Sequence, residues 1–125
     1  VGNVDHMAAY CLGGDKPAAP LDPYLTHTTC NAVVLVPGSH GWMWEEGKYV
    51  SNDMDYIRQL YAQKRLALID ELFPQQVFSY KAHVKPQGLP DDARIVYFHG
   101  AEKPHELPHV GWIARNFHDN VKDAA

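Results

Sequence analysis

Two short apolar runs restrict this chain more than any other feature. They are Cys30–Val36 (CNAVVLV) and Ala93–His99 (ARIVYFH). The first is rich in β-branched residues and lacks the polar alternation of a strand with one wet face. It predicts a strand buried on both sides, and the second run reads the same way. Such strands need covering layers. A chain of 125 residues is long enough to bury roughly two-thirds of its unfolded surface in one core. It allows one domain, or part of one.

The segments between these runs supply the layers. Pro17, Pro20 and Pro23 mark an extended loop, because proline fixes φ and has no amide proton to give to a ladder. Pro37-Gly38-Ser39 ends the first run, and Ser39–Gly47 predicts a short helix or turn with two tryptophans. From Met54 to Leu72 apolar residues recur at helical spacing with one polar gap at Lys64-Arg65. This predicts a long helix near 53–72, capped by Asn52 or Asp53 and stopped by Pro74. Gln76–Val84 places Phe78, Tyr80, Ala82 and Val84 on one face, as a strand would. Val110–Val121 predicts a last amphipathic helix through Trp112, Ile113 and Phe117. The order of strand, helix, strand, strand, loop and helix is α/β or α+β, with a weakly structured first third. It reads as the second half of a larger mixed sheet with flanking helices, and an open hydrophobic edge of that sheet calls for a partner chain or a second copy.

Charge and composition exclude several classes of function. The net charge is −4 and the pI near 6.0. The five basic side chains between Arg58 and Lys85 are interleaved with acids, so the chain has no nucleic-acid footprint. No apolar run approaches the ~20 residues of a membrane span. Two cysteines without a CxxC spacing make neither a disulfide framework nor a zinc site, which fits a reducing cytoplasm. His105–His109 (HELPH) matches HExxH literally, but Pro104 and Pro108 oppose the helix that motif needs. Trp42, Trp44 and Trp112 read as packing residues.

The chemistry concentrates at the end of the second run. His99 closes a predicted strand, the edge at which α/β proteins place their ligands. Gly100 allows close backbone approach, and Lys103 lies within reach of a phosphate as a point charge. From Leu72 to Glu106 the chain reads LFPQQVFSYKAHVKPQGLPDDARIVYFHGAEKPHE. This segment resembles the HGxxKP region of glycogenin-like retaining glycosyltransferases of family 8, which have the GT-A fold. It is closer still to small bacterial and tailed-phage proteins of that kind, which carry LFPxxVxSYKxHxxxxGLPxDARIVxFHGxPKPHE. Upstream, Asn31-Ala32-Val33-Val34-Leu35 resembles their NAGVLL strand, and Asn52-Asp53-Met54 falls where they begin a GDQ helix. Val1-Gly2-Asn3-Val4-Asp5 resembles the stretch that follows their DxD motif.

The resemblance implies the C-terminal half of a GT-A-like domain, lacking the nucleotide-binding half before it. It implies metal-assisted transfer of a sugar from a nucleotide-sugar donor, with Mn²⁺ or Mg²⁺ neutralising the departing diphosphate. His99 would serve the metal and Lys103 the diphosphate. Gly100 and Ala32 would line the substrate, His105 would assist the phosphate, and Asn31 and Asp53 would contact the sugar as catalytic-site residues. The chain departs from the pattern in three places. The DxD carboxylates are absent, Met54 replaces the glutamine, and His105 replaces a common aromatic. The alternative is a non-catalytic structural or binding component, of a phage particle for example, that reuses the fold.

Overall fold

The computed structural model describes residues 1–118. Helix α1 (Asp5–Gly13) leads into a two-residue strand, β1 (Ala18–Ala19). Helices α2 (Trp42–Gly47) and α3 (Asp53–Ala62) follow, then β2 (Ala67–Leu68) and α4 (Ile69–Leu72). Strand β3 (Val77–Ser79) turns directly into a π-helical segment, Tyr80–Val84, continued by α5 (Lys85–Gln87). Strand β4 (Ile95–Tyr97), a 3₁₀ turn (Pro104–Glu106) and α6 (Gly111–Ile113) complete the order, with a π-helical extension over Ala114–His118. The chain is therefore a mixture of helices and short strands. The strands form two parallel pairs, β1–β2 and β3–β4. No helix among the described residues is long and apolar enough to cross a membrane.

Helix α3 forms for reasons visible in its residues. The Asn52 side chain accepts the Asp55 amide at 2.9 Å, capping the first turn, and Asp53 and Asp55 place negative charge at the positive end of the helix. Tyr56, Ile57 and Leu60 are buried along one stripe, and with Ala19 and Leu66 they form the first core cluster. The helix ends at Ala62 rather than running to Leu72. Lys64 adopts a left-handed φ of 59°. The Arg65 amide bonds the Leu60 carbonyl and the Lys64 amide bonds the Tyr61 carbonyl, the paired bonds of a Schellman termination. The polar gap at Lys64-Arg65 is thus a stop signal. It releases Ala67–Leu68 to pair with β1, in register Ala18↔Ala67 and Ala19↔Leu68.

The Cys30–Val36 run is not a strand buried on both faces. It touches a ladder only at Leu35, which exchanges backbone bonds with Ala18 at 2.8 and 2.9 Å, and Cys30 donates to the Pro20 carbonyl. Ala32 and Val36 are exposed, while Val33, Val34 and Leu35 are half-buried. The extended partner of β1 comes instead from Ala67–Leu68, so the run lies across the edge of the pair and bends around Asn31–Val33. Pro17, Pro20 and Pro37 are fully buried, which makes the proline-rich segment part of the interior rather than a surface loop.

The predicted strand over 77–84 holds only for Val77–Ser79. At Ser79 the chain winds up, because the Ser79 hydroxyl accepts the Ala82 amide and the His83 ring accepts the Ser79 amide at 3.0 Å. Tyr80 and Val84 remain buried, and with Leu107 and Ile113 they make the second core cluster. The predicted strand over 94–99 is present as β4, paired to β3 with Ser79 opposite Tyr97. Of the predicted helix over Val110–Val121, the part from Gly111 to His118 is present, and residues 119–121 lie outside the described residues.

Candidate functional site

Beyond β4 the chain places His99 over a cavity of about 260 Å³. Register explains the placement. Ser79 ends β3 opposite Tyr97, so its hydroxyl reaches His99, two residues further on, and lies 2.8 Å from Nε2. That oxygen already accepts the Ala82 amide. The arrangement that also employs its single proton has Ser79 donating to Nε2, which leaves the proton of the neutral imidazole on Nδ1. Tyr24 packs edge-on against the His99 ring at 5.6 Å, and Tyr97 lies 6.0 Å away.

The other walls come from distant parts of the sequence. Asn31 and Ala32 come from the bend before Leu35, Met54 from the first turn of α3, and Asp22, Tyr24 and Cys30 from the segment after β1. The Asp22–Arg58 pair fixes that segment. Arg58 donates from Nη2 to Asp22 at 2.9 Å and from Nε to the Thr29 carbonyl at 3.0 Å, while the Tyr24 and Leu25 amides donate to the other Asp22 oxygen. Burial pushes the Asp22 carboxyl upward, but the two amides and the guanidinium outweigh it and hold the group below its ordinary value. Burial raises the Cys30 thiol and, together with the neighbouring Cys30, raises the Tyr97 phenol strongly, so both stay protonated at neutral pH.

Four residues nominated with His99 do not line its cavity. Lys103 turns back on its own segment and donates to the Phe98 carbonyl at 2.7 Å, so its charge braces the loop and does not line the cavity. His105 is exposed in the 3₁₀ turn, with Nε2 3.6 Å from a Glu106 oxygen. Asp53 lines a separate, larger cavity of about 470 Å³, which shares only Asn31 with the first. Gly100 has φ of +69°, and a Cβ there would come within 2.9 Å of Lys81 Nζ. Its close approach is to a lysine ammonium rather than to open space.

A divalent metal does not fit the described residues. The His99 Nε2 lone pair is engaged by Ser79 in the arrangement above, and no group of three or more metal-ligating side chains gathers among the described residues. Hard cations such as Mn²⁺ and Mg²⁺ want several oxygens.

Sequence reasoning passed over Ser79, Lys81, Asp22 and Arg58. Ser79 and Lys81 stand in the SYKAH string, where their positions carried no assigned role. Asp22 and Arg58 are 36 residues apart, and no motif links them. No family model, no curated protein and no solved structure matches the chain.

Proposed function

We propose that this chain forms the sugar-holding part of a nucleotide-sugar-dependent glycosyltransferase site of the GT-A kind. One observation supports the reading. Asn31, Ala32, Met54 and His99, drawn from three segments that each resemble such enzymes, line a single cavity. A cavity with two tyrosines, an amide and an imidazole suits a hexose, whose ring has apolar C–H faces and a polar rim. The Asn31 side-chain amide has no hydrogen-bond partner among the described residues and offers both a donor and an acceptor to hydroxyls. His99 Nδ1–H offers a donor, with Ser79 holding the ring. Lys81, against Gly100, is the ammonium beside the strand end on which a leaving diphosphate would draw.

A second reading, a non-catalytic sugar-binding component, draws on the poor fit to a metal and on Met54, whose thioether replaces a hydrogen-bonding amide. Calorimetry with UDP-glucose, UDP-galactose and their N-acetyl analogues, with and without Mn²⁺, tests both. The glycosyltransferase reading expects binding that weakens at least ten-fold in Asn31→Ala and His99→Ala. Binding of free monosaccharide with no response to any nucleotide sugar would favour the second reading. Silence toward all ligands would remove both.

A further inference from the structure

The larger cavity, about 470 Å³, lies between α2 and the start of α3, in the size range of about 300–1,000 Å³ typical of small-molecule sites. Asn31 forms the wall between it and the His99 cavity. Trp44 stands at its rim with 79% of its surface exposed, although tryptophan is a residue that folding normally hides. Trp42, two residues earlier, shows the contrast. Its indole donates to His40 at 2.9 Å and Arg65 stacks over its ring at 4.5 Å, so it is fully used in packing. The Trp44 amide donates to the Gly41 carbonyl at 3.2 Å, but its indole makes no ring, hydrogen-bond or ion-pair contact among the described residues.

The polar lining is selective. Among the described residues the Asp53 carboxylate and the Asn31 side-chain amide face no hydrogen-bonding partner, whereas Asn52 and Ser51 are both consumed by Asp55. The only ammonium in the lining, that of Lys48, is paired with Glu45 at 2.6 Å. A free carboxylate with no free cation repels phosphates and other anions. It accepts hydrogen bonds from neutral hydroxyls. An exposed indole beside it offers a flat apolar surface. Hydroxyls on the edge and an apolar face are the chemistry of a saccharide.

We propose that this second cavity binds a neutral saccharide, stacked on Trp44 with its hydroxyls on Asp53 and Asn31. In the glycosyltransferase reading it is the acceptor, placed across Asn31 from the donor sugar. Only the word acceptor rests on that reading, because the binding of a saccharide does not require it.

The test is a titration of ¹⁵N-labelled protein with maltotriose, lactose and chitotriose, following the tryptophan indole signals and the amides around Asp53. At least one probe should shift the Trp44 indole with a Kd of roughly 0.1–10 mM, the weak range of small neutral ligands. Trp44→Ala, at an exposed position, should weaken that binding at least ten-fold with an unchanged melting temperature, and Asp53→Asn several-fold with a fall of no more than about 4 °C from the lost helix-end charge. Absence of a Trp44 response to all three probes, or wild-type affinity in Trp44→Ala, would overturn the proposal. UDP-glucose added to parallel samples separates the two readings. Saccharide binding without nucleotide-sugar binding keeps this cavity and removes the glycosyltransferase; nucleotide-sugar binding without a saccharide response does the reverse.

Discussion

Arg58 is the residue whose loss should most cleanly disconnect the His99 cavity from its scaffold. It projects from α3 and holds the segment after β1 at two points, the Asp22 carboxylate and the Thr29 carbonyl. That segment carries Tyr24 to the His99 ring. Replacing Arg58 with Met keeps most of the aliphatic stem and removes both bonds. Hydrogen bonds to a charged group are worth about 1.5–3 kcal/mol, and an orphaned carbonyl adds about 1 kcal/mol. The side chains are 31% exposed at Arg58 and 12% at Asp22, so water recovers part of this. A net loss of about 2–3 kcal/mol follows. At about 4 °C per kcal/mol for a chain of this size, the melting temperature should fall by about 8–12 °C. A double-mutant cycle with Asp22→Asn, which keeps an oxygen for the Tyr24 and Leu25 amides, should return a coupling of about 1–2 kcal/mol.

The pH dependence gives an independent readout. The folded-state value of Asp22 lies below the unfolded value of 3.8. Its contribution is therefore fully present above the unfolded value and is lost as pH falls through the folded one. The stability difference between wild type and Arg58→Met should be constant from neutral pH down to about 4 and should shrink below it, as protonation dissolves the pair in the wild type. Urea titrations at several pH values measure this directly. A melting shift under about 2 °C, or a difference that stays flat into the acid range, would refute the argument that this pair clamps the loop.

Ser79→Ala removes a hydroxyl from a position with no exposure, leaves the Ala82 amide uncapped and frees the His99 ring. It should cost about 1–2 kcal/mol in chemical denaturation and move the His99 ring signals in NMR; an unchanged ring environment would show that Ser79 does not hold it. Gly100→Ala forces a Cβ onto a left-handed backbone, at about 1–2 kcal/mol, and against Lys81 Nζ. Because the lysine end is flexible, Lys81→Ala should recover less than half of that cost in calorimetric melting. Full recovery would place the strain in the contact rather than in φ.

The local elements were legible where one residue controls them. Asn52 announces the start of α3 and the Ile95–Tyr97 strand announces itself by its β-branched residues. Helix α2 falls inside Ser39–Gly47, where the sequence predicts a short helix or turn. The errors share a cause. Tyr80 and Val84 are four apart, a spacing that puts side chains on one face in both a strand and a helix, so burial alone cannot separate the two. What decides it is the Ser79 hydroxyl and the His83 ring, each capturing a backbone amide across three or four residues. Likewise the spacing from Met54 to Leu72 is helical throughout, and the break depends on a left-handed Lys64, a residue type that gives no such warning.

The site shows the same division at longer range. The resemblance nominated His99, Asn31 and Asp53 together, and folding puts His99 and Asp53 in different cavities with Asn31 between them. Asp53 is the first residue of α3 and opens toward α2, while Met54, one residue along the same turn, faces His99. Adjacent positions on a helix point about 100° apart, so a helix start set between two cavities must send neighbouring side chains into different ones. Asn31, on a bend rather than in a ladder, is left at the boundary with its amide unspent. A strand buried on both faces, the reading its neighbours invited, would have fixed that amide on one side only. The failure of the Cys30–Val36 run to join a sheet is thus what gives Asn31 access to both cavities.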